Sequence, residues 1–275
     1  AMRAPVSMIT LLLAACVDGD PVAPPPPRAY ELSEIAAGIS LSGHLTDAAA
    51  TPTGIYFAEQ RGGVHRLDGS LVMRVPTIAS DMGGLFGLLH MGGRLFASYS
   101  DAERRLTVAD ESGRVIYRTV PYTVEHYGGG LAEWRGKILL GYGYRMKIGT
   151  DPLHHHGPGD PRHGGVVAID PATGRADTIA VGIRNPFKLA VDGDELIVSS
   201  SGEYLHETVF RFRLDGPRPD FGWPRWEGPV CHTAPDCPAR TPPWYTYPTA
   251  AFGCSAVVGG AVFEGAYWFA DFCEG

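Results

Sequence analysis

The sequence predicts an all-β domain, and three observations carry that reading. Glycine (36) and proline (23) are abundant while charged residues make up 19% of the chain, a balance that favours many tight turns over long helices. Short runs rich in β-branched and aromatic residues follow one another, separated by Gly-Gly, Asp-Gly and similar turn pairs. These units recur about every 45 residues, the length of a propeller blade. Beyond the first residues no segment shows a helical period.

Taken in order, the chain begins outside the domain. Met2 and Arg3 precede an apolar run, Met8–Ala15, that is far too short to span a bilayer. It ends Leu13-Ala14-Ala15-Cys16, which resembles a bacterial lipoprotein cleavage box. That box implies a signal over residues 1–16, a lipid on Cys16 and an exported protein, periplasmic or at the cell surface; an ordinary secretory signal is the other reading. Residues 17–29, with Pro24 to Pro27, read as an extended tether. Residues 30–275 then form the domain.

Within the domain the expected strands are Ile55–Glu59, Val64–Leu67 and Leu71–Val75, parted by Gly62-Gly63 and Asp68-Gly69-Ser70. A glycine-rich lead-in, Gly83–Leu88, precedes Arg94–Tyr99, and Arg105–Ala109, Val115–Val120, Lys137–Tyr142, Gly165–Ile169 and Asp177–Val181 follow. Gly182–Asp192 reads as a polar loop in which Pro186 holds Asn185 extended. Glu195–Ser200 is a β-rich run, and Thr208–Leu214 alternates Val, Phe, Phe and Leu with Thr and Arg at period two. A polar loop at one end of a packed sheet is where function usually sits.

Charge and motifs exclude several classes. A net charge of −7 and a pI near 5.8 argue against nucleic acid or an anionic membrane as partner. No Gly-x-Gly-x-x-Gly leads from a strand into a helix, and no phosphate-binding Gly-Lys-Ser/Thr or Gly-x-Ser-x-Gly turn occurs. In an oxidising compartment Cys231, Cys237, Cys254 and Cys273 form two disulfides. Of the three pairings, Cys231–Cys237 with Cys254–Cys273 is preferred. A zinc site lacks the Cys-x-x-Cys spacing it needs.

Three motifs in order carry a resemblance: Arg-Asn-Pro at 184–186, Gly-Trp-Pro-x-x-Glu-Gly at 222–228, and Val-Gly-Gly-Ala-Val-Phe-Glu-Gly with Phe-Ala-Asp-Phe-Cys across 258–273. They resemble the glucose/sorbosone dehydrogenase family, and the likeness runs, more weakly, from about Tyr56 to the last residue. The resemblance implies a six-bladed propeller of four-stranded antiparallel blades. It further implies oxidation of an aldose-type sugar with pyrroloquinoline quinone (PQQ) and calcium, electrons passing on to an external acceptor. Residues 28–275 amount to about five blades, so a C-terminal blade is expected to be missing.

On this resemblance His126, in Glu125-His126-Tyr127-Gly128-Gly129-Gly130-Leu131, is the base that takes the sugar hydroxyl proton, a role suited to a group titrating near neutrality. Arg184 and Asn185 hold PQQ, whose three carboxylates and ortho-quinone match a guanidinium fork and an amide. A turn-capping role is the alternative for that pair. Gly202 and Glu203, in the loop from Ser199, are the expected calcium positions, offering backbone carbonyls, and Glu207 is expected to anchor its strand. Tyr142 stands where active members of the family carry an acid, and a phenol does not stabilise an imidazolium as a carboxylate does. The rival reading is therefore a non-catalytic surface propeller that binds a glycan or a protein. A third reading places a metal on His154 and His156 with Asp151 or His163, against incidental loop histidines. Trp223 and Trp226 read as structural anchors, and Trp244, Tyr245 and Tyr247 as packing rather than a sugar platform.

Overall fold

The computed structural model describes residues 43–80, 83–122, 126–144, 164–232, 237–249 and 255–273. The signal, Cys16, the tether, Glu125, the histidines at 154–156 and 163, Asp151 and Cys254 lie outside these residues. Among the described residues there are strands and turns and no α-helix.

Four antiparallel four-stranded sheets follow one another. The first is β1 (Leu45–Thr51), β2 (Gly54–Glu59), β3 (Gly63–Arg66) and β4 (Leu71–Arg74). The second is β5 (Leu85–Met91), β6 (Arg94–Ser100), β7 (Leu106–Asp110) and β8 (Val115–Arg118). The third is β9 (Gly128–Trp134), β10 (Lys137–Tyr142), β11 (Gly165–Ile169) and β12 (Ala176–Val181). The fourth begins with β13 (Pro186–Asp192), β14 (Glu195–Ser200) and β15 (His206–Arg213). The chain then makes an excursion containing the small hairpin β16 (Trp226–Glu227) and β17 (Val230–Cys231), before β18 (Tyr245–Pro248) completes the sheet beside β15. A two-stranded sheet, β19 (Val257–Phe263) and β20 (Ala266–Asp271), comes last.

The first strands β1, β5, β9, β13 and β19 each pack against the next in that order, so they surround an axis and the later strands lie outward. That is the radial arrangement of propeller blades. The core is accordingly a series of layers between blades. Phe96, Leu106 and Val108 of the second blade meet Ile138, Leu140, Val167 and Ile169 of the third. Leu139, Val166 and Ala168 on the other face of the third meet Leu189, Leu196, Val198 and Phe210 of the fourth. The aromatics near β18 pack as expected: Tyr245 and Tyr247 lie against Phe269, with ring centroids 5.8 and 6.2 Å apart.

One irregularity repeats around the axis. The register slips between Leu45 and Asp47 in β1, Leu85 and Gly87 in β5, Pro186 and Lys188 in β13, and Val257 and Gly259 in β19. Each slip is a bulge near the start of an inner strand, and a bulge re-aims the residue that it leaves unpaired. Those residues are Thr46, Phe86, Phe187 and Val258, and all four line one cavity of about 360 Å³ at that end of the axis. In β9 the same place is held by Gly129 and Gly130. A side chain at Gly129 would run into Phe86, and one at Gly130 would come within 2.8 Å of the Phe187 carbonyl. Glycine is required there because β9 is pressed by the Phe86 side chain of β5 at one residue and by the backbone of β13 at the next.

Just inside this cavity Asp47 of β1 forms an ion pair with Lys188 of β13, and its other oxygen accepts the Leu88 backbone N–H of β5 at 2.9 Å. One carboxylate thus ties the inner strands of three blades together.

Candidate functional site

The candidate site forms where residues distant in sequence meet at the starts of β9 and β13. His126 stands two residues ahead of β9, and Arg184 and Asn185 immediately precede β13. Asn185 Oδ1 accepts the Gly128 N–H at 2.9 Å, while its own backbone N–H bonds Ser200 Oγ at 3.0 Å. This buried amide therefore fixes the turn that carries His126 to the fourth blade. Asn185 also lines the 360 Å³ cavity, together with Tyr127, Phe86, Phe187, Gln60 and His44.

Arg184 joins the remaining candidates. Its Nη2 lies 2.8 Å from His126 Nε2, Nη1 donates to the Ser201 carbonyl at 3.1 Å, and the guanidinium forms an ion pair with Glu203. A guanidinium can only donate, so in this contact His126 Nε2 is the acceptor. Side-chain exposure of 10% for Arg184 and 16% for Glu203 places this pair largely out of solvent. The guanidinium also lies over Trp223, 5.7 Å from the ring centroid. Three of the sequence candidates, His126, Arg184 and Glu203, are thus brought into one chain of contacts, and Asn185 holds its base.

A residue outside the expected set organises the loop. Glu227, in the Gly-Trp-Pro-x-x-Glu-Gly run, accepts at Oε1 the backbone N–H groups of Glu203, Tyr204, Leu205 and His206 at 2.7, 2.8, 2.8 and 3.2 Å. Its Oε2 faces His232 Nε2 at 3.2 Å. Burial acts to raise the Glu227 pKa, but the four backbone donors outweigh it and hold the carboxyl below its ordinary value. The sequence offered one signal, a glutamate between turn glycines that follows two large anchors. Those anchors are structural as expected: Trp223 is buried, the Trp223–Pro224 bond is cis, and Trp226 Nε1 donates to the Pro238 carbonyl at 3.0 Å.

The side chains around Gly202 and Glu203 do not gather as metal ligands. Glu203 is committed to Arg184, and Gly202 N–H points at the Glu207 carboxylate, 3.3 Å from each oxygen. Among the described residues no three acidic, histidine or cysteine side chains converge on a point. Calcium on the backbone carbonyls of Gly202 and Glu203, which would need six to eight oxygens in all, thus gains no support from side chains, and no role is derived for it. Cys231 and Cys237 form the expected disulfide, with Cα atoms 6.0 Å apart. Cys273 is also disulfide-bonded.

Glu207 anchors β15 to β19 as well, accepting the Val257 N–H at 2.9 Å. Burial raises its pKa, the charge of Asp271 adds to the rise, and the N–H groups of Val257 and Gly202 oppose it. A raised carboxyl contributes stability that is full below the unfolded pKa and lost as pH rises through the folded one. Glu207→Gln should therefore gain on the wild type as pH rises from about 4 toward neutrality. Thermal melts of both proteins across that range check it, and parallel curves would refute it.

Sequence comparison finds no matching family model and no matching curated protein. Comparison of folds does. The chain is a β-propeller of four-stranded antiparallel blades, of the architecture seen in sugar dehydrogenases. It superposes on the PQQ-bound form of aldose sugar dehydrogenase from Streptomyces coelicolor with a TM-score of 0.68 at 20% identity, covering 87% of this chain and 77% of that one. A glucose dehydrogenase matches with a TM-score of 0.60 at 19% identity, covering 81% and 76%. At these identities the likeness is one of fold.

Proposed function

We propose that the protein is an exported, lipid-anchored sugar dehydrogenase that oxidises an aldose-type hydroxyl, with PQQ as hydride acceptor, on a propeller of six blades. The observation that carries the reading is that Asn185, which lines an aromatic-walled cavity, holds the turn that brings His126 against Arg184. The donor set suits the cofactor. Phe86, Tyr127 and Phe187 provide walls for a planar ring system and Asn185 an amide, while Arg184, the neighbour of Asn185, would supply a guanidinium for its carboxylates. When bound, PQQ supplies a two-electron acceptor. Arg184 donates to His126 Nε2, and Nε2 is the atom to receive the hydroxyl proton once the sugar displaces the guanidinium. Glu203 and the Ser201 carbonyl remain as partners for Arg184 when it withdraws.

The second reading, a non-catalytic propeller that binds a glycan or a protein, is favoured by Tyr142. It is buried and pairs directly with Gly128 across the β9–β10 ladder, so a phenol and not a carboxylate stands beside the His126 turn. Titrating the full-length protein with PQQ and following dye reduction across a panel of aldoses separates the two. Saturable, sugar-dependent reduction supports the dehydrogenase. Well-folded protein that binds no PQQ leaves the binding propeller.

A further inference from the structure

Beneath the site lies a second, smaller cavity of about 20 Å³, lined by Arg184, Trp223, Trp226, Glu227 and Arg240 among others. This volume is enough for one small guest. Its polar lining is unbalanced. Trp223 is 6% exposed, and its indole Nε1 is buried with no hydrogen-bond partner. Arg240 lies over Trp226 at 4.4 Å and donates only to neutral carbonyls, Gly228 at 2.6 Å and Thr241 at 3.3 Å. Among the described residues no carboxylate pairs with it. Burial also pushes its pKa down, as it does for a cation short of a counter-charge.

The carboxylates at the cavity are already engaged. Glu227 Oε1 receives four N–H groups and Oε2 faces His232, and Glu203 is held by Arg184. Indole and guanidinium are donors only, and a monatomic anion accepts from both at once. With Arg184 paired to Glu203, the Arg240 charge is the one in the lining that has no carboxylate partner among the described residues.

We propose that this cavity is a binding site for a single halide ion, held by Trp223 Nε1 and the Arg240 guanidinium under the Arg184–Glu203 pair. The inference stands apart from the dehydrogenase reading and does not require PQQ.

Bromide is the probe. Melting of the full-length protein in increasing sodium bromide, against sodium acetate at matched ionic strength, should show a saturable rise in Tm with bromide only. Arg240→Gln and Trp223→Phe should each weaken that response about tenfold or more. Crystals of the wild type soaked in bromide should give an anomalous peak inside the cavity, which keeps the proposal testable if either variant fails to fold. A water refined there without anomalous signal, or equal responses to bromide and acetate, overturns it.

Discussion

Replacing His126 with alanine is expected to lower sugar-dependent dye reduction by the PQQ-loaded protein by about 10²–10⁴-fold, the usual contribution of a positioned base. The effect should fall on kcat more than on PQQ affinity, because the cavity walls and Asn185 do not depend on the imidazole. His126 is half-buried and sits ahead of β9 rather than within it, so melting should change little. Arg184→Lys separates two roles in the same assay. Lysine keeps the charge but cannot reach His126, Glu203 and Ser201 together as the planar fork does. It should therefore weaken PQQ binding while leaving measurable turnover. Full activity in His126→Ala would remove the imidazole from the chemistry and with it the dehydrogenase mechanism as drawn.

Glu227→Ala is expected to be the most destabilising single change in the site. Four backbone N–H groups would lose their buried acceptor at once, and His232 its partner. Removing one side of a buried charged network typically costs about 3–5 kcal/mol. For a domain of this size that is roughly a 10 °C fall in Tm. Glu227→Gln keeps the shape and part of the acceptor capacity and should lose less. The pH dependence has a definite sign. The folded carboxyl lies below its ordinary value, so its stabilisation is full above the unfolded pKa and is lost as pH falls through the folded one. Below about pH 4 the wild type should therefore lose stability faster than Glu227→Gln. A Glu227→Ala protein that melts with the wild type would mean the loop 203–206 holds itself.

The outer strands of each blade were legible because they obey ordinary rules. Lys137–Tyr142, Gly165–Ile169 and Glu195–Ser200 form as expected, and the strand expected over Thr208–Leu214 runs two residues earlier at its start. The inner strands were not legible. β1 (Leu-Thr-Asp-Ala-Ala-Ala-Thr) and β9, with three leading glycines, have little of the β-branched composition that marks a strand. Their composition answers to crowding at the axis, which the local sequence does not announce. β13 read as a loop for the same reason: Pro186 opens it, a place where a strand tolerates the missing N–H. In the site, the approach of His126 to Arg184 across 58 positions came from family resemblance alone. Glu227 escaped notice because its function is to receive backbone donors, and no motif records where N–H groups will point.

The Asp47–Lys188 link has a consequence for how the blades move. Sheets that met only through apolar packing could slide or splay one at a time. Here two inner strands from non-adjacent blades are bolted together, and Leu88 is fastened to the same carboxylate. Three blades share one rivet, so a displacement of any of those strands is handed to the other two and the group shifts in step.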